Sequence, residues 1–304
     1  MSKKRKEETK MLRLYEPAET KTYKDQEKKM KIDQVRNLRA IDRKSRSMKL
    51  KFNPRIKKLD RICGVQVWLV NGSMIRDNFD VDFVFGGHGY RYIYVPIGEI
   101  WVEKLFDQKD IKPTKWHEFT ERHLMERGLS YNDAHDYAAR MEIGIRRGTE
   151  FVLPILNFDQ TRPSSCGAAA LRMALEYLGK KLPEKELMKL ANTAAGKKDS
   201  GTDPADIVKA AKKLGFKVIH KERWTIAQVK KTLERGLPII VNFQETPKLG
   251  DGHYVVIIGY TKDEFIFSDP NNGDTFWKQK VKDFMKRWYE LEDKTVREGI
   301  VIYK

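Results

Sequence analysis

Apolar positions along the chain change character from one stretch to the next. Residues 1–60 carry few of them, and Ile32, Val35, Leu38 and Ile41 recur only loosely at helical spacing, which predicts an arm that is disordered or a single solvated helix. From about Arg61 the segment ICGVQVWLVNGSMIRDNF places apolar residues on both sides of Asn71-Gly72, a dipeptide suited to a type I′ turn, and so predicts a β-hairpin. Phe79 to Phe85 (FDVDFVF) alternates with period two, and Tyr90 to Val95 (YRYIYV) follows after Gly86, Gly87, His88 and Gly89, which predicts a second hairpin. The period then turns helical. Trp116, Phe119, Thr120 and Leu124 form one face of a helix from Lys115 to near Gly128, and Ser130 with Asp133 opens another that runs to about Arg147.

Beyond residue 150 the pattern is clearer. Phe151 to Ile155 (FVLPI) reads as a short strand, and Ala170, Leu171, Ala174, Leu175 and Leu178 give the apolar face of a helix from Cys166 to Gly179. Further helices are expected over Pro183 to Ala191, over Asp203 to Leu214 ahead of Gly215, and over Thr225 to Arg235 ahead of Gly236. LPIIVNF from Leu237, HYVVIIGY from His253, DEFIFSDP from Asp263 and the terminal EGIVIYK are apolar and β-branched, as in strands of a covered sheet. Helices first and antiparallel strands afterwards is the α+β order. The expected organisation is an arm over 1–60, a small α+β domain of hairpins and paired helices over 61–150, and a larger α+β domain over 151–304.

Composition narrows the class. The chain has 304 residues, 40% of them hydrophobic, and no apolar run near the length of a membrane span, which predicts a soluble protein. Its charged start, MSKKRKEETK, has no apolar segment after it and does not read as a secretion signal. Cys63 and Cys166 are the only cysteines, too few for a disulfide framework and suited to a reducing cytoplasm. Residues 1–60 hold twenty-one Lys/Arg against nine Asp/Glu, so twelve of the seventeen net positive charges lie in the arm. Such an arm is either a solubilising extension or a contact for nucleic acid or an acidic partner.

Four of the six histidines, His88, His117, His123 and His135, fall between residues 61 and 150. His117 and Glu121 share one helix face, His135 and Glu142 share a face of the next, and antiparallel helices bring the two faces together. Imidazole and carboxylate in this arrangement bind zinc or a similar divalent ion, and HEFTE differs from the zinc-protease HExxH pattern by its final Glu. The expectation is a site of His117, Glu121 and His135, with His88 or Glu142 as a fourth ligand. A buried hydrogen-bonded polar cluster is the other reading. Residues 80–142 resemble a domain of uncharacterised prokaryotic and viral proteins, a resemblance that implies no activity.

The chemistry of the C-terminal region centres on Cys166. A thiol at a helix start faces the positive end of the macrodipole. The backbone N–H of Cys166 and the side-chain amide of Gln160 can supply two donors to a tetrahedral oxyanion. His253 and Asp269, from the later strands, complete the order donor, nucleophile, base and base-orienting acid, although Asp269 before Pro270 also suits an ordinary turn.

Gln160, the Cys166-Gly167-Ala168 helix start, the segment Gly252 to Tyr260, Asp269-Pro270 and Gly273 together resemble the C39 type of papain-like cysteine peptidases, over residues 151–304. The resemblance implies a papain-like fold and hydrolysis of a peptide or isopeptide bond through a Cys166 thioester. It also implies that His253 pairs with Cys166 and that Asp269 orients the ring, with no cofactor required. Members that process leader peptides carry transmembrane helices and an ATP-binding loop, which this sequence lacks, so the substrate does not transfer. A catalytically quiet peptide-binding module and an acyltransferase of the same fold are the alternatives.

Overall fold

The computed structural model describes residues 50–104, 107–193, 201–244, 252–271, 275–289 and 294–304. The expected arm up to residue 49 and Gly273 lie outside the described residues.

The chain begins with strands β1 (Arg55–Ile62) and β2 (Val65–Val70), paired antiparallel with Ile62 opposite Val65. The tight turn therefore lies at Cys63-Gly64, both with positive φ (47° and 88°), and not at Asn71-Gly72. Asn71 instead caps helix α1 (Gly72–Asn78), its side chain accepting from the Met74 N–H. Asn serves a turn and a helix cap equally well, so the local signal pointed to the wrong one.

The expected second hairpin is also absent. Only β3 (Gly86–His88) is extended there, and it pairs with β4 (Glu99–Glu103), a strand that lies parallel to β2. The alternating aromatics pack as a cluster instead of forming a ladder: Phe83 meets Tyr92, Tyr94 and Trp101 edge-on at 5.5, 6.5 and 6.4 Å. The four strands run in the order β1-β2-β4-β3.

Helices α2 (Gln108–Glu126) and α3 (Tyr131–Arg147) then pack against each other. The second is capped as expected, with Ser130 accepting from the Asp133 N–H and Gly148 closing it at φ 63°. Packing continues across residue 150. Ile62, Val67, Val102, Trp116 and Phe119 belong to the same buried apolar cluster as Leu171, Leu175 and Val255, and Trp116 meets Phe151 edge-on at 5.0 Å. Arg127 reaches over to donate to the carbonyls of Glu176 and Tyr177.

The remaining elements are β5 (Glu150–Val152), α4 (Cys166–Tyr177), α5 (Glu184–Leu190), α6 (Pro204–Lys213), β6 (Lys217–Lys221), α7 (Ile226–Leu233), β7 (Ile239–Gln244), β8 (Gly252–Thr261), β9 (Glu264–Ser268), β10 (Thr275–Lys280), α8 (Val281–Arg287) and β11 (Gly299–Tyr303). The second sheet runs β10-β9-β8-β7-β11-β6, all antiparallel, with β5 added alongside β8. Mixed helices and an antiparallel sheet in this order make an α+β fold. Among the described residues no helix is long and apolar enough to cross a membrane.

Where β5 joins β8, Gly259 leaves no room for a side chain: a Cβ there would lie 2.5 Å from the Phe151 carbonyl oxygen and 3.0 Å from Val152 Cα. Both neighbours are backbone and cannot rotate away. Gly259→Ala is therefore expected to destabilise the fold by about 1–3 kcal/mol in urea unfolding. An unchanged midpoint would mean that this close strand contact does not exist in solution.

Candidate active site

Cys166 is the first residue of α4, and that helix packs against the central strand β8. Its approach is close because position 167 is glycine; a Cβ there would come within 2.8 Å of Thr202 Cβ and 3.2 Å of the Tyr254 ring. The backbone N–H of Cys166, in the first turn, has no carbonyl one turn back to accept it within the helix. Cys166 is itself buried, at 7% exposure.

His253 stands at the start of β8, opposite Phe243 of β7, whose ring lies 6.0 Å away and limits the imidazole on one side. Asp269 directly follows β9, which pairs with β8, so register brings the two side chains together. Nε2 of His253 is 2.7 Å from Oδ1 of Asp269, both residues being buried. Asp269 Oδ1 also accepts from the Asn271 N–H at 2.8 Å, fixing the carboxylate in its turn. Nδ1 is thereby left as the nitrogen for Cys166, whose sulfur is within hydrogen-bonding reach of the ring. Burial opposes charge on this imidazole, but the hydrogen bonds and charges of Asp269 and Cys166 outweigh it and push His253 up from 6.5 to about 10.

The loop before Cys166 is tied down at several points. Gln160 donates its backbone N–H to the Pro270 carbonyl, and Ser268 donates to Asn157. Buried Glu184 accepts from both the N–H and the hydroxyl of Thr161, while Ser165 and Arg162 bond each other through backbone and side chain. The Gln160 amide departs from the expected role. Its Nε2 donates to the carbonyls of Arg162 (3.0 Å) and Pro163 (3.1 Å), spending both hydrogens on its own loop. To reach an oxyanion it must exchange one of those bonds. Glu184, Thr202 and Asn157 had no signal in the sequence, because each acts through partners elsewhere along the chain.

A shallow cleft beside this loop is lined by Arg162, Lys185, Lys189, Met188, Asn192 and Thr193. The other thiol, Cys63, contacts the Gly236 carbonyl at 3.7 Å, and burial pushes it up to about 11.

Residues 152–296 match the model of the Peptidase_C39 like family. The matched segment contains Cys166, His253 and Asp269. Over 136 residues the chain is 32% identical to the pediocin PA-1 transport/processing ATP-binding protein PedD of Pediococcus acidilactici. That alignment takes in 43% of this chain and only 17% of PedD. Among solved structures, the peptidase domain of Streptococcus ComA is similar at 23% identity, with a TM-score of 0.37, over 48% of this chain and 96% of that one. A C39-like peptidase from Bacillus anthracis is similar at 18% identity and a TM-score of 0.41, over 50% and 97% of the two chains.

The histidines expected to bind metal sit on other elements. His117 and Glu121 of α2 lie against His135 and Glu142 of α3 and His88 of β3. His123 faces away from them, buried against the rings of Phe119 and Tyr177 at 5.3 and 4.9 Å. His220 of β6 pairs with Glu298, the residue before β11, at 2.5 Å, and its pKa is raised by that bond.

Proposed function

We propose that the C39-like segment is a cysteine peptidase in which Cys166 attacks a peptide carbonyl. The observation that carries this reading is the chain of contacts from Asp269 through His253 to Cys166, ending at a helix N-terminus. Cys166 gives its proton to Nδ1 of His253, and the resulting imidazolium faces the thiolate. Attack builds negative charge on the carbonyl oxygen, and the Cys166 backbone N–H, which has no partner within its own helix, is the donor placed to meet it. The imidazolium then protonates the leaving amine, and the neutral ring activates water to release the acyl group from the sulfur. Asp269 holds the ring so that Nδ1 faces the sulfur throughout, and no metal or organic cofactor enters these steps. PedD is named a transport and processing protein, and a peptide or protein substrate is the matching expectation here.

The test is iodoacetamide alkylation of Cys166 as a function of pH, read peptide by peptide in the intact chain. Cys63, held near 11 by burial, is the internal control. Labelling of Cys166 much faster than that of Cys63, and lost in His253→Ala, is the expected result. Labelling of Cys166 no faster than Cys63, or unchanged in His253→Ala, would leave a peptide-binding module in place of the enzyme.

Among the described residues, the cleft beside the nucleophile loop carries Arg162, Lys185 and Lys189 and no acidic side chain. Peptides with acidic residues near the scissile bond should therefore be cut faster, and Lys185→Glu with Lys189→Glu should remove the preference by about tenfold at low salt. Equal rates for acidic and neutral peptides in the unchanged protein would rule this cleft out as a subsite.

A further inference from the structure

We infer that α2 and α3 form a binding site for one divalent transition-metal ion, zinc by donor type, held by His117 Nε2, His135 Nδ1 and Glu121 Oε2. These three atoms converge on one point: His117 to His135 is 3.2 Å, His135 to Glu121 is 2.8 Å, and His117 to Glu121 is 3.5 Å. Ligands at about 2.0–2.1 Å from a tetrahedral zinc stand about 3.3 Å apart, so the triangle already has nearly the required edges. The donor set, two imidazoles and one carboxylate, is that of an open zinc site rather than a closed structural one.

The groups behind the triangle orient it. The Tyr90 N–H donates to Nδ1 of His88 at 3.2 Å, so Nε2 of His88 carries the proton and gives it to Glu121 Oε1 at 2.8 Å. That bond occupies one carboxylate oxygen and leaves Oε2 facing the two rings. Glu142 Oε2 lies 2.8 Å from Nδ1 of His117, at an angle poor for a hydrogen bond but close enough to favour a proton there, which leaves Nε2 with its lone pair. His88 and Glu142 thus support ligands instead of serving as the fourth one expected from the sequence. Glu118 groups with Glu121 through His88 and not with the two rings. His135 has 43% of its side chain exposed, which leaves the fourth position open to water or a small ligand.

Glu121 is only 3% exposed, so its carboxylate takes its partners from the three imidazoles around it and not from water.

The experiment uses the full chain without a histidine tag, stripped with chelator, reloaded with zinc and passed through gel filtration for metal analysis. One equivalent in the unchanged protein and in Cys166→Ala, falling below about 0.1 in His135→Ala, is expected. His135 is partly exposed, so its removal should spare the fold, which circular dichroism checks. Glu142→Gln, which keeps the donor triangle, should weaken zinc about 10–100-fold in a competition titration. Cobalt in place of zinc should give visible bands without a sulfur charge-transfer band. Less than about 0.1 equivalent in the unchanged protein overturns the proposal. So does zinc lost in Cys166→Ala, which would put the ion on the Cys166–His253 pair, and so does full binding in a folded His135→Ala.

Discussion

Cys166→Ala is expected to lower kcat/KM for any peptide the protein cuts by at least about 10³-fold. Water in the substituted site is no substitute for the sulfur as nucleophile. The helix N-terminus and His253 remain, but they can only assist a nucleophile that is absent. The fold should be nearly undisturbed. Cys166 is a small buried residue at a helix start, and alanine fits the same backbone with no new polar group to satisfy. Turnover on a peptide library and thermal melting therefore separate the two effects: lost cleavage with a melting temperature changed by only a few degrees. Residual cleavage within about tenfold of the unchanged protein would show that another group attacks the peptide, and the reading of Cys166 as nucleophile would fail.

The elements that were legible in the sequence are those whose signals are local. The helix from Cys166 announces itself by its apolar period and by Gly179, and the strands from Ile239, Gly252 and Glu264 by continuous β-branched runs. Ser130 and Thr225 were readable as caps for the same reason, since a cap is decided within four residues. What failed was decided elsewhere. Asn71-Gly72 carried a turn signal, but β2 pairs in parallel with a strand some thirty residues on, so the chain had to leave the sheet through a helix. The aromatics from Phe83 to Tyr94 alternate like a strand yet close around Trp101, because a ring cluster buries more apolar surface than an edge ladder would.

In the site, the same division holds. The pairing of His253 with Cys166 and Asp269 was an expectation from the family resemblance, whereas the hold of Glu184 on Thr161 depends on a contact with no local trace. The Gln160 amide shows the limit from the other side. Its residue type was right for an oxyanion donor, but hydrogen bonds within its loop decide where it points.

Asp269 offers the second large effect, and two substitutions separate its charge from its geometry. Asp269→Asn keeps an oxygen that can accept from the His253 ring and from the Asn271 N–H, so the ring stays oriented. It loses the negative charge, which is one of the causes holding His253 at about 10. The alkaline limb of kcat/KM, where the imidazolium loses its proton, should then move to lower pH, with a loss of only about tenfold at the plateau. Asp269→Ala removes orientation as well, and a fall on the order of 10²–10⁴-fold is expected across the whole profile.

Stability gives an independent readout with a defined sign. An unfolded histidine titrates near its ordinary 6.5, so the stabilisation from charged His253 is complete below that pH and is lost as pH rises through about 10. Both substitutions should therefore cost most stability near and below neutral pH and least at high pH, where the unchanged protein has lost the contribution too. If Asp269→Asn leaves the alkaline limb in place and Asp269→Ala costs less than about tenfold, Asp269 is a turn residue, and the ring must be oriented by something else. The packing of Phe243 against His253 would then be the contact to test.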